Sequence, residues 1–317
     1  MASIASRPPP AVSPSAASTS ASALSAPAIP TSVELTQEND PLIVRFTNVQ
    51  DLFDAINCTI GDFLTVTNVS PSQFTEIERE REKRRRKFRF RRYDSKSRIL
   101  IITIPTKLHE ALHLGLYIRY DRQLVRNGRE EDWTGIGSAT FRAEQGHPGG
   151  DGGEGDSTGG PKPERQGIGE WPTLVIEAGD SESLGELQND MRWWFRTSNH
   201  DVKIVILAKF DRRQHSILLE KWEEEISPPQ GAITRSQAAA ISQQNGVLEP
   251  VKRQLITITR DETTNPVSYN VTRGALVLGF RLLFLRDPGL QERDIVLSIQ
   301  DLQRYAEDVW AVVPGLD

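Results

Sequence analysis

The sequence predicts an α/β (α+β) protein, a mixed sheet flanked by helices, and three observations carry that prediction. Between residues 42 and 225, runs of β-formers alternate with stretches of helical periodicity. The run WPTLVIE (171–177) is apolar up to a terminal acid, Glu177, as a buried strand would be, and the break AGDS leads into helix formers. Turn signals such as DSKS (94–97) and Asn127-Gly128 fall between the elements.

The elements follow in order. LIVRFTNV (42–49) reads as a short strand and VQDLFDAINC as a short helix. The charged run EIEREREKRRRKFRFRRYD (76–94) begins as a helix. From Phe88 its apolar residues alternate with arginines, which marks a strand paired as a hairpin with RILIITIP (98–105). TKLHEALHLGLYIRYDRQLVRNG (106–128) has apolar residues at helical spacing. WTGIGSATFRA (133–143) is a strand. A helix over 181–198 and strands at 202–210 and 215–225 come after Glu177; QLITITRD, ALVLGFRLLFLRD and DIVLSI read as β-rich, and a helix near 299–310 closes the chain.

This divides the chain into a disordered Ala/Ser/Pro-rich tail (1–40), a core (41–225) and a polar linker (226–250). Residues 251–317 are a β-rich segment expected to complete the core. The core contains a Gly-rich insert, 144–170, expected to be structureless.

Composition narrows the function classes. The net charge of −5 over 317 residues argues against global nucleic-acid affinity while leaving room for local basic patches. The single cysteine, Cys58, excludes an internal disulfide and a cysteine-based zinc cluster, and fits a reducing compartment. No apolar run reaches the length of a membrane span, and no signal-peptide core is present. The expectation is an intracellular protein, cytoplasmic or nuclear, with no membrane partner.

Three groups of residues carry candidate chemistry. Glu177 at the strand end, with Asp180, Glu182 and Asp190 close behind, offers carboxylates for a divalent cation. Against this, Asp180 and Ser181 also suit a helix cap. The segment HEALH (His109 to His113) places two histidines on one helical face around Glu110, the pattern of a zinc metalloprotease. No third ligand stands at a recognised spacing, which favours partly exposed helix histidines. The run Arg79 to Arg92 holds ten cations broken only by Glu80, Glu82, Phe88 and Phe90. Its acids stop at Glu82, so KRRRKFRFRR stays unneutralised and suits a phosphate backbone or an import signal. Alternation puts Lys87, Arg89 and Arg91 opposite Phe88 and Phe90, predicting a buried aromatic face and an outward nucleic-acid-binding row.

The stretches GIGSATFR, EWPTLVIEAGDSESLGELQNDMRWWFRTSNHDVKIVILAKF and ILLEKWE resemble a group of uncharacterised filamentous-fungal proteins. Those in turn resemble the PD-(D/E)XK restriction-endonuclease-like superfamily, especially its bacterial putative-nuclease branch. The resemblance covers about residues 85–225, and DIVLSIQDLQRYAE is similar to the way that branch ends. It implies a restriction-endonuclease-like mixed sheet and a Mg²⁺-dependent nuclease or its catalytically decayed descendant, with Mg²⁺ as cofactor only if catalysis is retained. Glu177 takes the place of the second acidic metal ligand, Asp190 that of a helix carboxylate, and Arg192 lies near the place of a migrated lysine. Two departures stand out. The Pro-Asp expected after GIGSATFR is missing, leaving Asp151 or Asp156 in the insert, and Glu177-Ala178-Gly179 lacks the lysine of Glu-X-Lys. The alternative is a non-enzymatic interaction or nucleic-acid-binding module on the same fold. A zinc metalloprotease ranks third.

Overall fold

The structure, a computed structural model, describes residues 42–143, 150–226 and 247–313. The expectations for the tail, for 144–149 and for most of the linker lie outside the described residues.

β1 (Ile43–Arg45) leads into α1 (Val49–Cys58), whose first turn is capped by the Asn48 side chain accepting from the Asp51 N–H. β2 (Phe63–Thr67), an element absent from the sequence-based expectation, precedes α2 (Pro71–Lys83), which opens on a Ser70/Gln73 capping box. β3 (Arg89–Asp94) and β4 (Ile99–Thr103) form the expected antiparallel hairpin. α3 (Lys107–Arg126) starts where the Thr106 hydroxyl accepts from the His109 N–H. Then come β5 (Trp133–Gly135), β6 (Thr140–Arg142), β7 (Gly152–Glu154), β8 (Ser157–Pro161) and β9 (Leu174–Gly179). α4 (Leu184–Thr197), β10 (Ile204–Asp211) and β11 (Ser216–Ile226) follow. β12 (Leu248–Asp261), β13 (Ser268–Thr272), β14 (Leu276–Leu278), α5 (Phe280–Phe284), β15 (Ile295–Leu297) and α6 (Ile299–Trp310) complete the described chain. FRLLF, read from sequence within a β-rich run, is thus a short helix.

The fold is mixed α/β, with mixed sheets flanked by helices. One sheet has the order β1-β2-β4-β3-β7-β6, with β1 and β2 parallel. The other has the order β13-β12-β11-β10-β9-β8-β5, with β9 and β10 parallel, and β14 pairs with β15 in a small separate sheet.

β9 is buried along its whole length because helices cover both its faces. Leu174, Ile176 and Ala178 join the apolar cluster that includes Leu108, Leu112 and Leu116 of α3. Val175 joins the cluster of Leu187, Met191 and Trp194 of α4. Glu177 follows Val175 on the α4 face, so its carboxylate enters an otherwise apolar layer and requires partners there.

The Gly-rich insert is ordered between 150 and 170, contrary to the expectation of a structureless segment. β7 joins β3 to β6, and β8 pairs with β9 in the register Ser157 to Ile176. Its glycines make room rather than slack. A Cβ on Gly153 would stand 2.5 Å from the Arg91 carbonyl oxygen and 2.6 Å from Trp193 Cη2. One on Gly159 would stand 2.6 Å from Trp133 Nε1. Tryptophan rings lie directly on this backbone, which composition alone reads as flexibility.

Candidate functional site

Four acidic side chains and one arginine meet where β9 ends. Glu177 is wholly buried; its Oε1 accepts from Trp194 Nε1 at 2.5 Å, and its Oε2 lies 3.5 Å from Arg91 Nη2. Arg91, itself 2% exposed, brings Nη1 to 2.6 Å from Glu182 Oε2 and Nε to 2.6 Å from Asp190 Oδ2. Its Nη2 also donates to the Ala178 carbonyl at 3.3 Å. Asp156 lies just before β8, and its Oδ2 accepts from the Ala178 N–H at 2.9 Å. Burial pushes the Glu177 and Glu182 carboxyls well up; the charge of Asp156 adds to this at Glu177, and Arg91 opposes it at both.

The outward row expected of Lys87, Arg89 and Arg91 is not formed. Phe88 and Phe90 are buried, as the alternation predicts. The opposite face is covered as well: a register shift between Phe90 and Arg92 sets Arg91 into the interior beneath α4. Arg89 turns inward too, with Nη2 2.7 Å from Glu110 Oε1 and Nη1 3.2 Å from Asp156 Oδ1. Lys87 alone of the three is exposed. It belongs to the stretch running from the end of α2 in which Lys83 to Lys87 all face solvent, and the Arg85 and Lys87 side chains have no ion pair or hydrogen bond among the described residues. A cleft of about 550 Å³ lies beside it, lined in part by Arg85, Arg86, Lys87, Arg89 and Thr140.

The HEALH histidines are buried rather than partly exposed. Asp156 supplies the third potential ligand that local spacing does not reveal: one ligand atom each from His109, His113 and Asp156 lie within 4.8 Å of one another. The charges nevertheless favour a salt-bridged cluster over zinc. His109 is bracketed by carboxylates, with Nδ1 3.1 Å from Asp62 and Nε2 3.0 Å from Asp156. Burial favours its neutral ring, but the charges of Asp156 and Asp62 outweigh this and hold its pKa up at about 10. A protonated imidazole is not a metal ligand. Arg89 Nη1 also stands 3.3 Å from His113 Nε2, within the same group.

The remaining sequence candidates are distributed differently from the expectation. Ser183, not Ser181, caps α4. Ser181 donates through its hydroxyl and its N–H to Asp62, and Asp180 pairs with Arg212. Arg192 is exposed on the outer side of α4, where it donates to the Asn189 side chain, and is not part of the Glu177 cluster. Lys209 stands directly across from Gly179, the position where Glu-X-Lys would carry its lysine. Its ammonium donates instead to the carbonyls of Asp180 and Phe210. Asp62, on the approach to β2, was not visible as a candidate because its partners lie 47 and 119 residues away in sequence.

The restriction-endonuclease-like resemblance implies Mg²⁺, a cation bound by oxygen ligands. These residues do not fit it. Glu177, Glu182 and Asp190 converge on the Arg91 guanidinium, while Asp156 is held by Arg89, His109 and the Ala178 N–H. The cationic role at the cluster is filled by the chain itself.

No family model and no curated protein matches the chain. Among solved structures, the chain is similar to a crystal structure described as "a putative nuclease belonging to DUF820" from Anabaena variabilis. The identity is 12%, the TM-score 0.30, and the match covers 47% of this chain and 83% of that one.

Proposed function

We propose that this protein is a restriction-endonuclease-like module that has lost metal-dependent hydrolysis and binds nucleic acid without cutting it. The observation that carries the reading is Arg91. Its guanidinium is enclosed by Glu177, Glu182 and Asp190 at the end of the strand where a nuclease of this type would hold its cation. The absence of a lysine after Glu177, and the engagement of Lys209 by two carbonyls, support it further. Without a free carboxylate pair and a free lysine, nothing in the cluster is left to activate water.

Binding is assigned to the exposed residues Arg85, Arg86 and Lys87, because Lys83 and Arg84 pair with Glu80 whereas these three have no ion pair among the described residues and attract phosphates regardless of base sequence. The experiment compares the wild type with Glu177→Ala on duplex and single-stranded DNA in Mg²⁺ and in Mn²⁺. It also compares the wild type with Arg85→Ala/Arg86→Ala/Lys87→Ala for DNA affinity at several salt concentrations. The expected result is no cleavage by either of the first pair, and weaker binding with a shallower salt dependence in the triple variant. Metal-dependent cleavage by the wild type that disappears in Glu177→Ala would overturn the reading.

A further inference from the structure

A second cationic cleft lies between the β3–β4 hairpin and the outer side of α4, on the far side of the helix from Glu177. It has a volume of about 290 Å³ and is lined by Arg92, Asp94, Ser97, Ile99, Asn189, Arg192, Trp193 and Arg196. The α4 contribution follows from helical spacing: Asn189, Arg192, Trp193 and Arg196 are at i, i+3, i+4 and i+7 and share one face.

The charges of this cleft are unbalanced. Arg92 is already engaged by Glu186 and Asp190. The Arg192 side chain has only the neutral Asn189 side chain, and the Arg196 guanidinium has no ion pair or hydrogen bond among the described residues. Two like charges four residues apart on a helix repel each other. The one acid in the wall, Asp94, keeps its charge while accepting from the Ser97 N–H and offsets part of the charge of Arg196, which leaves the three arginines of the wall in excess. Trp193 adds a donor: its Nε1 is buried with no acceptor, while its six-membered ring packs on Gly153. A buried N–H without a partner is uncommon, and this one belongs to a residue that lines the cationic cleft.

We propose that this cleft is a binding site for a compact phosphate group, inorganic phosphate or a phosphate monoester, held between Arg192 and Arg196. Guanidinium forks suit phosphate oxygens in number and geometry. Arg192 and Arg196 belong neither to the Arg91 cluster nor to residues 83–87, although Arg92 in the wall pairs with Asp190 of that cluster, so a test on the two helix arginines stands or falls apart from the function proposed above.

The test is isothermal titration with inorganic phosphate against the full-length wild type and Arg192→Ala/Arg196→Ala, at constant ionic strength set with chloride. Both arginines are exposed, so the variant is expected to fold, and circular dichroism checks this. The expected result is saturable binding by the wild type, weakened at least tenfold in the double variant, with Arg192→Lys/Arg196→Lys intermediate. Equal binding by wild type and double variant overturns the proposal, as does wild-type phosphate binding no stronger than that of chloride. A duplex-DNA arm separates the sources: a double variant that loses DNA affinity while the wild type shows no saturable phosphate binding reassigns the cleft to a polymer backbone and overturns the compact-ligand proposal.

Discussion

Arg91 Nη1 and Glu182 Oε2 stand 2.6 Å apart with both side chains 1% exposed. Such a pair is sensitive to the loss of one member, because the surviving charge is stranded away from water. Arg91→Ala is therefore expected to destabilise the fold by about 3–5 kcal/mol. Adding Glu177→Gln and Glu182→Gln to that variant should restore part of the loss, since neutral amides need no counter-charge. Urea denaturation measures both; a loss under about 1 kcal/mol for Arg91→Ala would contradict an internal guanidinium that holds the cluster together.

The same substitution has a consequence for metals. Without Arg91, the carboxylates of Glu177, Glu182 and Asp190 have lost their shared cation, and oxygen clusters of this kind attract Mg²⁺ or Mn²⁺. Millimolar Mn²⁺ should raise the thermal midpoint of Arg91→Ala and leave that of the wild type unchanged. An equal rise in both proteins would mean that the wild-type cluster already admits the ion.

His109 sets a pH dependence. Its folded pKa, about 10, lies above the ordinary histidine value of 6.5. The stability it contributes is complete below pH 6.5 and is lost as pH rises towards 10, because the unfolded ring gives up its proton first. The slope attributable to one such proton is up to about 1.4 kcal/mol per pH unit. The raised carboxyls of Glu177 and Glu182 act with the same sign as pH rises, so the informative quantity is a difference. Stability measured from pH 6.5 to 10 should fall less steeply in His109→Gln than in the wild type. Parallel curves would show that His109 keeps no proton.

Gly153→Ala probes the insert. The new methyl would meet the Arg91 carbonyl, a backbone atom that cannot swing aside, as well as the Trp193 ring. The expected cost is about 1–3 kcal/mol, as for overpacking elsewhere in protein cores. A flexible insert would absorb the methyl with no change in the denaturation midpoint.

The sequence by itself determined every helix but the short α5, most of the strands, and the place of Glu177 at the end of a buried strand. Leu108, Leu112 and Leu116 specify the buried face of α3 through their spacing, and Val175 and Ile176 place Glu177 on a strand with no wet face. Phe88 and Phe90 are likewise buried as their alternation predicts. These are local properties, written within one turn of helix or a few residues of strand.

What covers the opposite face of β3 was decided only by the tertiary structure. A period of two says that Arg89 and Arg91 oppose the phenylalanines; it does not say that their side is solvent. α4, the segment before it and the link between β7 and β8, supplied from 60 to 100 residues further on, close over that side and bring Asp156, Glu182 and Asp190 to the two arginines. The same distance concealed Asp156 as a partner of HEALH and made a close-packed glycine run look slack. Periodicity is fixed by the chain's own geometry, whereas the partner of a charge is whichever distant element packs against it, and that depends on how the whole sheet is ordered.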